Sequence, residues 1–552
     1  VLDANMTTVA DGKTVLDANK IFDIDGVKLG VFGLSTPETL TKADASKMPG
    51  VTFAQGEALY KVAQAQVDEL KAAGADVIVC LGHLGIDSES TPNRSIDLCQ
   101  KVSGIDLFID GHSHSTTEQI IDKINNADKT NLVNGTKIVS TGTALANVGL
   151  VVYDPTAKTL TDSLISTKEY SKVDDAVAKV INARNDEINK QYGSIIVGTS
   201  DVDLNGTQAG GNGTAENTKA EITFPAAEGL RISETNLGDF SADAILWQAR
   251  KVLGENQADL AITNGGGIRK TLGKGNISML DLLAVYPFGN TVATIQVTGA
   301  QLLEALEAST QFTPVSASGG FPQVAGIKFA VDTSVDYEKG DQYPGSTFYA
   351  PKNPGSRVTI SEVNGKAFDL NGTYIVATND FTAKGGDTFG VFKRVGGWKD
   401  AGVTLENALI NYTAEELGGK ITAEKYGKSA GRITITYKDV PTNAWYYPSA
   451  KYVIGEGIMT STGANAGFNA AGTITRGTVI QTFYNMEGKP AVTGSAFADA
   501  TGKWYAASAN WAASEGIVKG DNKGNFNGEN VITRQELAIM LTNYMTFKGM
   551  TT

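Results

Sequence analysis

Three histidines are all that this 552-residue chain contains, and they fall into two short motifs. His83 stands in Leu81-Gly82-His83-Leu84-Gly85, and His112 and His114 stand in Asp110-Gly111-His112-Ser113-His114. Neutral imidazole is the commonest protein ligand for zinc, iron and manganese, so imidazoles gathered within so short a span point to a metal site. Each motif follows an apolar run that reads as a buried strand, residues 75–80 and 105–109. The strand ends of α/β sheets are where ligand chemistry collects. A glycine beside each motif lets backbone approach a ligand closely.

A second group of residues lies downstream. Asn264-Gly265-Gly266-Gly267-Ile268-Arg269 closes the run 258–263, and Tyr286-Pro287-Phe288-Gly289-Asn290 follows. Further on comes Asn379-Asp380-Phe381-Thr382-Ala383-Lys384-Gly385-Gly386-Asp387. Arg269 and Arg231 can grip a phosphate with planar, bidentate donors that lysine lacks. Arg231 lies five residues before Asn236-Leu237-Gly238-Asp239.

In order and spacing these motifs resemble the secreted 5'-nucleotidase/UDP-sugar hydrolase family, in which a calcineurin-type metallophosphatase domain is joined to a separate substrate-binding domain. The resemblance runs from residue 1 to 436. It implies two divalent metal ions, zinc or manganese, with His83 and His112 on one and His114 on the other. It implies Arg231 and Arg269 as phosphate contacts, and Asn264, Gly266, Gly267 and Asn290 as further substrate contacts. Phe288 and Phe381 match the aromatics that sandwich the nucleobase, and Asp387 the acidic residue that holds the ribose hydroxyls. Stacking draws on the π face that every base has, so broad base tolerance is expected. The family's upstream Asp-x-His and Gly-Asn-His-Glu motifs do not occur here, and Val1-Leu2-Asp3-Ala4-Asn5 looks like the segment that follows them. No catalytic residue is therefore expected within this span, its N-terminal part is expected to lie upstream, and the span alone is expected to be inactive.

The elements that must position these residues alternate. Residues 27–34 read as a strand, and residues 57–73 as a helix with Leu59, Val62, Ala63, Val67 and Leu70 on one face. The expected fold class is α/β and α+β multidomain. It comprises part of a metallophosphatase β-sandwich with flanking helices (1–165), a linker helix (166–192, its core at 173–191) and an α/β substrate domain (193–436). Two small helical modules complete it (437–490 and 491–552).

The modules are visible as a tandem repeat. Asp439 recurs as Asp499, Trp445-Tyr446 as Trp504-Tyr505, Glu456-Gly457-Ile458 as Glu515-Gly516-Ile517, Phe468-Asn469 as Phe526-Asn527, and Ile474-Thr475-Arg476 as Ile532-Thr533-Arg534. The pattern resembles the surface-layer homology module, which binds cell-wall polysaccharide and usually comes in threes; two are present before Thr552. Arg476 and Arg534 are the expected contacts to an acidic wall polymer. Trp445 and Trp504 are expected to anchor the module cores, with stacking on sugar as the alternative.

Composition narrows the partners. With 47 basic and 60 acidic residues the net charge is −13, which argues against nucleic-acid polymers or anionic membranes as partners. No run of 18 apolar residues exists, so no membrane span is expected. Cys80 and Cys99 are too few for a disulfide framework and read as buried small apolar side chains, with a Cys80–Cys99 bridge as the alternative.

The resulting expectation is an extracellular, cell-wall or surface-layer anchored hydrolase that converts nucleoside 5'-monophosphates to nucleoside and phosphate. On the same scaffold the alternatives are a 2',3'-cyclic nucleotide phosphodiesterase or a UDP-sugar hydrolase. Of another class is a non-catalytic, wall-anchored nucleotide-binding or surface-layer protein.

Overall fold

The computed structural model describes residues 1–552 apart from 44–47, 169, 209–228, 315, 438, 442–443, 456–457, 460–466, 491, 493 and 551–552. Glu456-Gly457, part of the first repeat, lies outside the described residues. The chain divides into two compact units. One comprises residues 1–190, 339–350 and 384–394, and the other residues 191–338, 351–383 and 395–552.

The first unit is built on a six-stranded sheet ordered Asn19–Ile24, Val27–Ser35, Val77–His83, Leu107–Ile109, Thr136–Val139, Leu132–Val133. Its four middle strands run parallel and its outer pairs antiparallel. Both faces are covered, which is why the strands read as continuous apolar runs rather than alternating ones. Phe32, Cys80, Phe108 and Ile138 face the helix Glu57–Ala72, which buries Leu59, Ala63, Val67 and Leu70 as expected and Tyr60 in addition. Val31, Val79, Leu107 and Val139 face the hairpin Asn147–Asp154 and Thr159–Ser166 through Val151, Tyr153 and Leu160. Cys80 and Cys99 are both buried and both free thiols, so the bridge does not form. The helix Asp175–Ile188, expected as the linker, buries none of its residues.

The second unit centres on a five-stranded sheet ordered Pro322–Ala325, Leu260–Asn264, Thr373–Asn379, Thr291–Thr298, Lys399–Thr404. The helix Asn236–Leu253 packs on it, with Leu237, Phe240, Ile245 and Ala249 in the core. A four-stranded sheet ends in Ile433–Thr436, beyond which come the repeats, with helices Tyr447–Gly455, Arg476–Met486, Ala506–Ser514 and Arg534–Phe547. The repeats fold alike where their sequences agree. Asp439 accepts the amides of Phe468 and Ala470 at 2.8 and 3.0 Å, as Asp499 accepts those of Phe526 and Asn527 at 2.8 and 2.7 Å.

The tryptophan expectation is overturned. Trp445 is 93% exposed and Trp504 47% exposed. The core of the second module is made instead by Tyr505, Trp511 and Phe526, and each of the two exposed indoles stands edge-on against the tyrosine after it.

Candidate metal and nucleotide sites

The histidine loops leave neighbouring parallel strands, so the sheet itself brings them together. Asp110 then ties them: its Oδ1 accepts the amides of Leu84 and Gly85 at 3.0 Å each and of Gly111 at 2.8 Å. Gly85 has φ of +70°, and a Cβ there would sit 3.0 Å from the Ser113 amide nitrogen, so both the turn and the close approach of the loops require glycine. The His83 and His112 rings lie 5.1 Å apart, tilted by 59°. Beyond His114 the loop is closed by a capping box between Thr116 and Gln119, which starts the helix Thr117–Ile124.

His112 has a carboxylate behind it: its Nε2 lies 3.2 Å from Glu38 Oε2. Glu38 follows the strand Val27–Ser35, whose Ser35 pairs in register with His83. Burial would push the Glu38 carboxyl up, but the bond to His112 and the charge of Lys42 outweigh it and hold it at about 2. Burial would likewise lower His112, yet the Glu38 bond and charge raise it above its ordinary value. His83 is lowered by burial and by the charge of His112, which favours the neutral form that a metal needs.

Lys42 is the hub of this region. Its Nζ is 2.8 Å from Glu89, 3.5 Å from Asp387 and 3.8 Å from Glu38, and all three carboxylates are buried. The Asp387 amide also donates to the Thr41 carbonyl at 2.9 Å. Asp87 nearby is pushed up to about 6, by burial and then by the charge of Glu89.

For a divalent metal the fit is partial. A histidine oriented by a carboxylate through one nitrogen leaves the other for a metal, and that is the arrangement at His112. Among the described residues, however, no three His, Cys, Asp or Glu side chains converge closely enough to hold a metal ion, so His114 does not complete a set with His83 and His112.

The substrate motifs lie in the second unit, except residues 384–387, which sit in the first. Asn264 ends its strand buried, its Oδ1 accepting from Asn379 Nδ2 at 3.1 Å and from Thr382 Oγ1 at 3.5 Å. Gly265 and Gly266 pack against protein backbone: their amides donate to Phe321 and Gly319 at 2.8 and 2.9 Å, and a Cβ on Gly265 would overlap the Leu230 carbonyl. Gly267 is half-buried beside them. Arg269 is exposed, with its guanidinium 5.0 Å from the centre of the Phe288 ring, which is 57% exposed. Phe381 is half-buried. Arg231 Nε donates to Gln208 at 2.9 Å, and Asn290 Nδ2 donates to Asp380 at 2.9 Å.

In the modules the two arginines differ. Arg476 is engaged within the protein: Nη1 pairs with Glu536 at 2.8 Å, Nε donates to the Phe526 carbonyl at 3.1 Å, and the guanidinium lies over the Phe526 ring. It thereby staples the first repeat to the second. Arg534 is exposed.

The sequence motifs omit Glu38, Lys42 and Glu89, and they contain Asp110 and Asp380 without a role for either. Glu38 was open to detection, because it follows the end of a strand next to the one that carries His83. Lys42 and Glu89 were not, because these partners lie 47 residues apart in sequence.

Comparison with known proteins extends this picture. Residues 211–394 match the 5'-nucleotidase, C-terminal domain, and residues 436–480 and 496–538 match the S-layer homology domain. The chain is 31% identical over 418 residues to the trifunctional nucleotide phosphoesterase protein YfkN of Bacillus subtilis, covering 74% of this chain and 25% of that protein. It is 26% identical over 478 residues to the cell wall protein Lmo0130 of Listeria monocytogenes, covering 80% and 54%. It thus spans a quarter of the first relative and about half of the second. Among solved structures, a 5'-nucleotidase precursor from Thermus thermophilus aligns with a TM-score of 0.58 at 24% identity, over 79% of this chain and 78% of that one. The sulfate thiohydrolase SoxB, also of Thermus thermophilus, aligns with a TM-score of 0.52 at 16% identity, over 79% and 68%. Those two share the fold while their names give different chemistries, so fold alone does not choose a substrate. Within this chain, then, a segment matching the 5'-nucleotidase, C-terminal domain is followed by two segments matching the S-layer homology domain.

Proposed function

We propose that the protein is a cell-surface, metal-dependent hydrolase of nucleoside 5'-monophosphates, in which the 193–436 stretch supplies the nucleotide site and the repeats hold the enzyme to wall polysaccharide. The observation that carries the nucleotide reading is the exposed Phe288 ring with the Arg269 guanidinium beside it, in the domain whose family is the 5'-nucleotidase C-terminal domain. An aromatic face and a planar cation side by side suit a ligand that is a base at one end and a phosphate at the other. Arg231, Asn264, Gly266, Gly267, Asn290 and Phe381 belong to the same site in this reading. Two divalent ions, zinc or manganese, would lower the pKa of a bound water and neutralise the phosphoryl oxygens. His83 and His112 would hold one ion, with Glu38 fixing the His112 ring, and His114 the other.

Calorimetry tests the site. AMP is expected to bind, and Phe288→Ala and Phe381→Ala each to weaken it by about 1–3 kcal/mol, the worth of one base–aromatic stack. Unchanged affinity in both variants would remove the base clamp. EDTA is expected to abolish hydrolysis by the active enzyme, and zinc or manganese to restore it.

For the wall, the exposed Trp445 and Trp504 and the exposed Arg534 are the groups available to a polymer, whereas Arg476 acts by holding the modules together. The chain is expected to co-sediment with purified walls that carry acidic polysaccharide. The variant Trp445→Ala with Trp504→Ala should lower the bound fraction severalfold without loss of helix signal, and Arg476→Ala should lower the melting temperature of the repeats. Wall binding that persists in the double tryptophan variant would assign the indoles to another role. Among the described residues no helix is long and apolar enough to cross a membrane.

A further inference from the structure

Asp380 stands between the two loops that carry the proposed base clamp. It follows Asn379, the last residue of its strand, and precedes Phe381. Its Oδ1 accepts the Asn290 side-chain amide at 2.9 Å and the Thr291 backbone amide at 3.1 Å. Asn290 and Thr291 lie two and three residues after Phe288. The strands below are antiparallel neighbours, with Val292 opposite Asn379, so the sheet sets the two loops side by side at one end. Pairing of the strands fixes their stems, but not how far apart the two rings stand above them. Phe288 projects 57% exposed from Pro287-Phe288-Gly289, three residues that are all exposed, and Gly289 has φ of +68°. The carboxylate of Asp380 joins that loop, by two bonds, to the residue next to Phe381.

Behind this link the second loop is tied down by hydrogen bonds. Asn379 Oδ1 accepts the Thr382 amide at 2.7 Å, and its Nδ2 donates to Asn264 at 3.1 Å. Asp380 is thus mounted on a hydrogen-bonded base and holds the more exposed partner.

We infer that Asp380 is a positioning residue that sets the separation between Phe288 and Phe381, and so determines how much binding energy the protein draws from the base of a nucleotide. This rests on the nucleotide reading above. Two rings gain from one base only when both meet its faces together, so a loop that wanders keeps one stack and loses the other. The effect belongs to the base end of the ligand and leaves the phosphate end alone. Asparagine at this position keeps an oxygen that accepts both amides, whereas alanine removes it.

The experiment is calorimetry of the full chain with AMP and with ribose 5-phosphate, which lacks the base. For Asp380→Ala, AMP affinity should fall about tenfold, equivalent to part of one stack, while ribose 5-phosphate stays within about twofold of the unmodified protein. Asp380→Asn should keep most of the AMP affinity. Asp380→Ala with AMP affinity unchanged overturns the inference, as does an equal loss for both ligands, which marks general loosening of the domain. An Asn variant as weak as the Ala variant also overturns it, because the acceptor geometry would then be irrelevant. Failure of the nucleotide reading looks different: the unmodified protein would bind AMP no better than ribose 5-phosphate, and this inference would fall with it.

Discussion

Replacing Lys42 with Met is expected to destabilise the first unit by about 3–5 kcal/mol, the usual cost of removing one partner from a buried ionic cluster. A single ammonium faces Glu89 at 2.8 Å, Asp387 at 3.5 Å and Glu38 at 3.8 Å, and these carboxylates have side-chain exposures of 5%, 4% and 0%. Lys42 itself is 21% exposed, so water screens it only in part. Without it, the charge on Glu89 and Asp387 would be left buried without its ammonium, and Glu38, which holds His112 in place, would keep only His112 as a counter-charge. Charge is the cause rather than packing, since Met conserves the length and apolar volume of the stem. Adding Glu89→Gln to Lys42→Met should therefore recover part of the loss, a coupling that a double-mutant cycle reads directly. Urea unfolding followed by hydrogen exchange in Val27–Ser35 and Val77–His83 is the measurement. A Met variant within about 0.5 kcal/mol of the parent would mean that the cluster is not the support described here.

Arg432→Met should have a comparable effect in the second unit, about 3 kcal/mol or more by the same physics. The Arg432 guanidinium lies 2.8 Å from Asp243 and 3.5 Å from Asp239, and donates to the Val324 carbonyl at 2.6 Å. Glu234 accepts the amides of Arg432 and Ile433 at 3.0 and 2.8 Å, so the cluster also fastens the start of the strand Ile433–Thr436. Burial, then the charge of Glu234, pushes the Asp239 carboxyl up to about 9 against the pull of Arg432. A carboxyl raised on folding contributes stability that is complete below its unfolded value near 4 and is lost as pH rises through the folded value. The parent should thus lose stability between about pH 4 and about pH 9. In Arg432→Met, Glu234 and Asp243 are left without their cation and the melting temperature should drop by several degrees at neutral pH. Asp239→Asn, which cannot ionise, should flatten the fall with pH. If melting at pH 6 and pH 9 responds identically in the parent and Asp239→Asn, Asp239 is not the group responsible.

The histidine motifs were legible because each ends a strand that is apolar on both faces, and such strands announce themselves in sequence as unbroken runs. The parallel register that sets His83 beside the His112 loop follows from that strand order. The repeats were legible from their near-constant spacing, and Asp439 and Asp499 show why those positions recur: each holds the loop that carries a Phe-Asn pair. The exposure of Trp445 and Trp504 was not legible. A tryptophan beside a tyrosine reads as core by composition, and which of the two turns inward depends on packing against helices elsewhere in the chain.

By itself, then, the sequence determined the α/β character of the first unit, the position of the imidazoles at strand ends, the glycine-rich substrate loops and the tandem modules, because local periodicity and turn chemistry decide all of these. Only the tertiary structure decided that Glu38 backs His112, that Lys42 gathers Glu38, Glu89 and Asp387, and that residues 384–394 pack with the first unit. It likewise decided that Arg476 staples two repeats and that Asp380 joins the loops of Phe288 and Phe381. Each of these is a pairing of buried polar groups far apart in the chain. Burial makes a partner obligatory, but which residue supplies it is set by where the packed elements bring their ends.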